Sequence, residues 1–252
     1  MIHLAVIPAG SARAGIDLVL SPTMGQNIDM GKFQDEVGGM IWDLPLRLFH
    51  WLLAVAVIVS IGSVKNENMF VHEKSGLTIL GLLGFRLVWG VIGSHHARFV
   101  HFVKSPGEVI SYIRGRFAGN RDHHPGHAPS GGYATVAILL VLSVMASLGL
   151  MANDDVLYEA PLAAWAGEFT ETASFWHRRI EVLIFAIIVL HLAAIATYRF
   201  LLGQNLIPAM IHGGRDRDNA PVNRRLQVAG VLLLIGFVLL AQMLGYDSNR
   251  FY

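Results

Sequence analysis

The sequence contains no cysteine. That one absence removes disulfides, cysteine-ligated zinc, iron–sulfur clusters and covalent c-type haem, each of which needs sulfur from the chain. Charge is scarce too: Asp, Glu, Lys and Arg make up 15% of the 252 residues, against about 25% in soluble domains. The 19 basic and 18 acidic residues nearly cancel, so nothing favours nucleic acid as a partner. What is abundant is apolar surface, with 54% hydrophobic residues and a mean hydropathy of +0.50. This excludes disorder and makes lipid the main solvent. Histidine is also plentiful, with 12 residues, and these are the candidate ligands for any metal.

Crossing about 30 Å of hydrocarbon takes roughly 20 apolar residues in a helix. Five stretches qualify, at about 44–64, 73–93, 132–152, 176–202 and 226–245. The connection 94–131 carries Arg98, Lys104, Arg114, Arg116 and Arg121, and 203–225 carries Arg215, Arg217, Arg224 and Arg225. Segment 153–175 has Asp154, Asp155, Glu159, Glu168 and Glu171 without Lys or Arg. Because cytoplasmic loops collect positive charge, the two basic loops face inward, the N-terminus is cytoplasmic and the C-terminus periplasmic. Residues 1–40 read as an N-terminal extension, either cytoplasmic or the product of a misplaced start, with Met24, Met30 and Met40 as alternative starts. The apolar runs in that extension are too short for a signal peptide. Residues 157–175, with Trp165, Phe169 and Phe175 among acids, read as a segment on the outer interface or a solvated loop.

Four histidines fall in or at the ends of these spans: His50, His72, His177 and His191. Ionisable residues at membrane depth are costly and mark functional sites. His177 and His191 are 14 residues apart, which puts them within about 40° of one helix face and about 21 Å apart along the axis. The alternating directions of the spans place His72 at the depth of His177, near the outer side, and His50 at the depth of His191, near the inner side. Two ligands per site are too few for zinc. A haem supplies four nitrogens itself, and two axial imidazoles then leave iron suited to electron transfer. Two stacked haems would form an electron path across the bilayer.

Arginines suit haem propionates. Arg86, deep in the second span and 14 residues after His72, is a candidate for the inner propionates or another buried anion. Arg47 is a second candidate at the inner haem, with Arg178 and Arg179 at the outer one; snorkelling to the interface is the competing role for these three. Gly76, Gly81, Gly84, Gly90 and Gly149 would admit either a flat macrocycle or a neighbouring helix. His95, His96, His101, His123, His124 and His127 lie in the 94–131 loop and read as solvated side chains rather than an accessory metal site.

Several stretches together resemble the bacterial cytochrome b-561 family, which includes the b-type cytochrome subunits of nickel–iron hydrogenases. They are Trp42-Asp43-Leu44-Pro45-Leu46-Arg47-Leu48-Phe49-His50-Trp51, matching D-x-P-x-R-x-x-H-W, then Phe85-Arg86-Leu87-Val88-Trp89-Gly90 and His96-Ala97-Arg98-Phe99. Ser105-Pro106 with Tyr112, Gly126-His127-Ala128-Pro129-Ser130-Gly131 and the two fourth-span histidines follow. Ala128 departs from the family's usual Asn, and residues 1–40 are unmatched. The resemblance covers about 41–202 and implies four helices holding two b-type haems through paired histidines. It also implies quinone as a diffusible substrate and a redox partner protein, with a fifth helix in some members.

The resulting expectation is an all-α membrane protein: a four-helix di-haem cytochrome b domain at 41–202, then a cytoplasmic loop and fifth transmembrane helix at 203–252. It sits in the bacterial inner membrane and moves electrons between the quinone pool and a c-type cytochrome, a hydrogenase or another oxidoreductase subunit. The quinone position is unknown, with Trp42, Asp43 and Trp176 as candidates. Competing readings are a small permease with a proton or metal-ion path through the histidines and Arg86, or a structural anchor for a peripheral complex. The permease would need deep acids, yet Glu73 and Glu181, its main candidates, lie near the outer ends of their spans.

Overall fold

The computed structural model describes residues 40–118, 128–153, 158–214 and 222–245. All belong to one unit, 37–252. The extension expected at 1–40 falls outside the described residues except for Met40.

Every described element of regular length is a helix, and each begins where the local chemistry satisfies its free amides. Helix α1 spans Leu44–Lys65, capped by the Asp43 carboxylate accepting from Leu46 N at 2.8 Å, with Pro45 in its first turn. A turn through Glu67, whose φ is +56°, leads into α2, Met69–Ile92, capped by Asn68 accepting from Val71 N. After a 3₁₀ turn at His95–Ala97 come the short α3, Phe99–Phe102, and α4, Pro106–Phe117. Ser105 Oγ caps α4, accepting from Glu108 N at 3.3 Å and donating to Glu108 Oε1 at 2.8 Å. Helix α5 is Pro129–Gly149, α6 is Ala163–Ala166 and α7 is Phe169–Phe200. Helix α8, Ile207–His212, ends at Gly213 with φ +100°, where only glycine is unstrained. Helix α9 is Arg224–Leu244.

Five of these, α1, α2, α5, α7 and α9, are long and apolar enough to cross a membrane. The fourth span starts earlier than its hydropathy suggests: Phe169–Phe175, expected as part of an interfacial segment, are the first two turns of α7. At 32 residues this helix is about 48 Å long, well over the hydrocarbon thickness, so it overhangs.

Helix α2 is the centre. It packs on α1, α5 and α9, while α5 packs on α7. More than half of the most apolar stretch of α2 is buried (56%), against 6% for α7. The core joins Phe49 and Leu53 of α1 to Leu82, Phe85 and Trp89 of α2, Leu139 and Leu142 of α5, Ile184 of α7 and Leu234 of α9. In lipid there is no hydrophobic drive between helices, so close approach depends on small residues. A Cβ at Gly81 would stand 2.7 Å from Phe237 O, and one at Gly84 2.8 Å from the Phe237 ring. These two glycines therefore serve the α2–α9 contact and not a macrocycle. Gln242 Nε2 completes the contact, donating to Lys74 O and Thr78 Oγ1 at 2.9 Å.

Candidate functional site

The four span histidines meet in two pairs, each joining α7 to another helix. The ring centroids of His72 and His177 are 6.0 Å apart at an interplanar angle of 80°, and those of His50 and His191 are 6.4 Å apart at 51°. Two imidazoles each about 2 Å from one first-row metal ion, with about 1.1 Å from nitrogen to ring centre, have centroids about 6 Å apart. Both pairs fit that spacing. The close packing of α7 is with α5 and α6, so the imidazoles reach across to α1 and α2 where the backbones stand further off.

Around His72 and His177 lies a cavity of about 320 Å³, within the range of small-ligand and cofactor sites. Its wall includes Ser60 of α1, Gly76 of α2, Met145 and Gly149 of α5, and Arg178 and Glu181 of α7. A Cβ at Gly76 would meet no atom within 4 Å, so the space beside His72 is open for a flat group. Gly149 has the opposite environment: a Cβ there would stand 2.8 Å from His177 Cε1.

Hydrogen bonds orient both imidazoles of this pair. His177 Nδ1 is 3.0 Å from Met145 O, and His72 Nδ1 is 3.1 Å from both Ser60 O and Ser60 Oγ. A carbonyl oxygen only accepts, so each Nδ1 carries the proton and each Nε2 keeps its lone pair. Metal-binding histidines are commonly oriented in this way.

Residues 41–213 match the family described as prokaryotic cytochrome b561. The chain belongs to that family. Membership brings b-type haem as the cofactor class, and both the open cavity and the protonation of Nδ1 fit such a group. The cytochrome is similar to the probable Ni/Fe-hydrogenase 1 B-type cytochrome subunit of Escherichia coli (strain K12), with 20% identity over 229 residues, 77% of this chain and 97% of that one. It is 23% identical to the probable Ni/Fe-hydrogenase B-type cytochrome subunit of Azotobacter chroococcum mcd 1 over 232 residues, covering 75% and 94% of the two chains. No solved structure matches it.

The second pair in this cytochrome is held differently. The His50 ring meets Trp51 edge-on at 5.0 Å, and its buried Nδ1 has no hydrogen-bond partner among the described residues. His191 is exposed on α7. Arg47, one turn before His50, donates to Ile211 O at the end of α8 at 2.5 Å.

Arg86 is 1% exposed. Its Nη1 donates to Ala97 O at 3.1 Å, and its guanidinium lies 4.5 Å over the Phe99 ring. Nη2 has no partner among the described residues. Asp43 is also fully buried, and its carboxylate accepts from Leu46 N, Trp89 Nε1 at 3.0 Å and Ser94 Oγ at 2.5 Å. Asp43, considered for quinone, thus ties α1 to α2 and the following turn. Trp42, the second quinone candidate, is buried and its N donates to Gly213 O. Trp176, the third, is half exposed against Phe175. Of the outer arginines, Arg178 lines the cavity, while Arg179 lies 5.0 Å over Phe175.

His95 and His101 stack at 3.9 Å, and among the described residues no three His, Cys, Asp or Glu side chains are grouped to hold an ion. Loss of hydration, then His95, Arg98, His96 and Lys104, keep His101 below the ordinary histidine range. His123, His124 and His127 lie outside the described residues. Ser60 and Met145 carried no signal in the sequence, because they act largely through main-chain carbonyls that any residue owns.

Proposed function

We propose that this cytochrome holds two b-type haems in a four-helix bundle of α1, α2, α5 and α7, within a haem domain at 41–202. His72 and His177 are the axial ligands on the outer side and His50 and His191 those on the inner side. When bound, haem with two axial imidazoles supplies an iron that exchanges one electron and has no open position for a substrate. The observation that carries this reading is the pair of inter-helix imidazole contacts at 6.0 and 6.4 Å. Helix α7 sets the separation of the sites by spacing its two histidines 14 residues apart.

The chain's own residues orient the ligands and screen charge. Met145 O and Ser60 fix the protons of the outer imidazoles, and Arg178 on the cavity wall offers a cation to the outer propionates. Arg179, over the Phe175 ring, is the second cation for that role. Arg86 Nη2, which has no partner among the described residues, is assigned to an inner propionate, with Arg47 beside His50. By the positive-inside rule, the basic loops favour a cytoplasmic N-terminus and a periplasmic C-terminus in an inner membrane. Across that membrane the chain passes electrons between the quinone pool and a redox partner. The relatives' names favour a nickel–iron hydrogenase over a c-type cytochrome as that partner.

A pyridine haemochrome assay with a reduced-minus-oxidised spectrum of the purified protein tests the reading. Two low-spin b-type haems per chain that do not bind carbon monoxide are expected. A chain that takes up no haem under ample supply overturns it.

A further inference from the structure

We propose that Ser60 and the Met145 carbonyl make the iron held by His72 and His177 the more reducing of the two, with Ser60 as the positioning residue. This rests on the two-haem reading and assigns an order that the reading leaves open.

The two imidazole pairs have different surroundings. Both histidines of the outer pair direct Nδ1–H at a carbonyl of a different helix, His177 at Met145 O at 3.0 Å and His72 at Ser60 O at 3.1 Å. The Ser60 hydroxyl oxygen, also 3.1 Å from His72 Nδ1, is a second acceptor for the same proton. It matters because Ser60 O is shared: Ser63 Oγ donates to it at 2.8 Å. In the inner pair, His50 Nδ1 is buried with no hydrogen-bond partner among the described residues. An imidazole whose N–H is drawn toward an acceptor is a more basic ligand, and a more basic ligand favours ferric over ferrous iron. Two such ligands on one iron, against a site with at least one lacking the bond, lower the outer potential relative to the inner.

Redox titration of the purified full-length protein, followed in the haem absorption bands, tests this. His191→Ala, which removes an inner ligand, identifies which wave belongs to which site. Two one-electron waves are expected, the outer at the lower potential. Ser60→Ala should raise the outer wave alone; a tenfold loss of ferric preference reads as about 59 mV for a one-electron couple. Ser60→Thr keeps a hydroxyl and should restore the wild-type value. An outer wave at the higher potential, or an outer wave unmoved by Ser60→Ala, overturns the inference. A chain with one haem or none would overturn the two-haem reading instead, so the two failures are distinct.

Discussion

Replacing Gly149 with Ala should cost the outer haem specifically. The new Cβ would stand 2.8 Å from Cε1 of His177 and 3.1 Å from Nδ1, where ordinary carbon contacts sit at about 3.5–4.0 Å. The ring must therefore recede by roughly 0.7 Å or more at Cε1. The Nδ1–H bond to Met145 O is 3.0 Å now; a retreat of that size takes it past about 3.5 Å, where it is no longer a hydrogen bond. Loss of such an orienting bond lowers metal affinity about 10–100-fold, which is about 1.4–2.7 kcal/mol. Helix propensity pulls the other way, since Ala is up to about 1 kcal/mol better than Gly in a helix, so the apoprotein should be no less stable. Haem titration into apoprotein, read by haemochrome stoichiometry, separates the effects, with the His50–His191 site as internal control. Gly62→Ala is the companion variant, because a Cβ there meets nothing within 4 Å and Gly62 does not line the cavity. Two haems bound to Gly149→Ala with wild-type affinity would refute the reasoning.

Four further outcomes are expected. His191→Ala should remove or expose the inner haem and leave the His72–His177 haem in the spectrum; loss of only the outer signal would break the pairing. Arg86→Gln should lower mainly the inner midpoint, on the order of 60 mV for each tenfold change in the oxidised-to-reduced ratio, and an unchanged midpoint would remove Arg86 from the inner site. Asp43→Ala strands Trp89 Nε1 and Ser94 Oγ, which both donate to Asp43, and removes the α1 cap; at about 1–3 kcal/mol per stranded group, the melting temperature in detergent should fall sharply. Gly81→Leu forces a side chain into Phe237 O, so α9 should become accessible to protease while haem content is kept; loss of both haems would give α9 a role in the haem sites.

Hydropathy alone located five spans because a bilayer admits only segments whose backbone is satisfied internally, and such helices need long apolar runs. The largest departure is at the start of α7: Phe169–Phe175 mix aromatics with acids, and a helix overhanging the hydrocarbon has no hydropathy signature there. Alternating span direction and the 14-residue interval of His177 and His191 placed each histidine level with its partner, since a membrane reduces depth to a one-dimensional problem. The N-caps at Asp43, Asn68 and Ser105 follow from local chemistry in the same way. What each glycine meets is a tertiary matter: Gly81 and Gly84 face Phe237, Gly149 faces His177 and Gly76 faces open space. A missing side chain says that something comes near, or nothing does, without saying which. Only the folded chain shows that Asp43 is spent on Trp89 and Ser94, and that Arg86 reaches Ala97 O. Main-chain acceptors such as Met145 O exist at every residue, so which of them holds an imidazole is decided by how the helices pack.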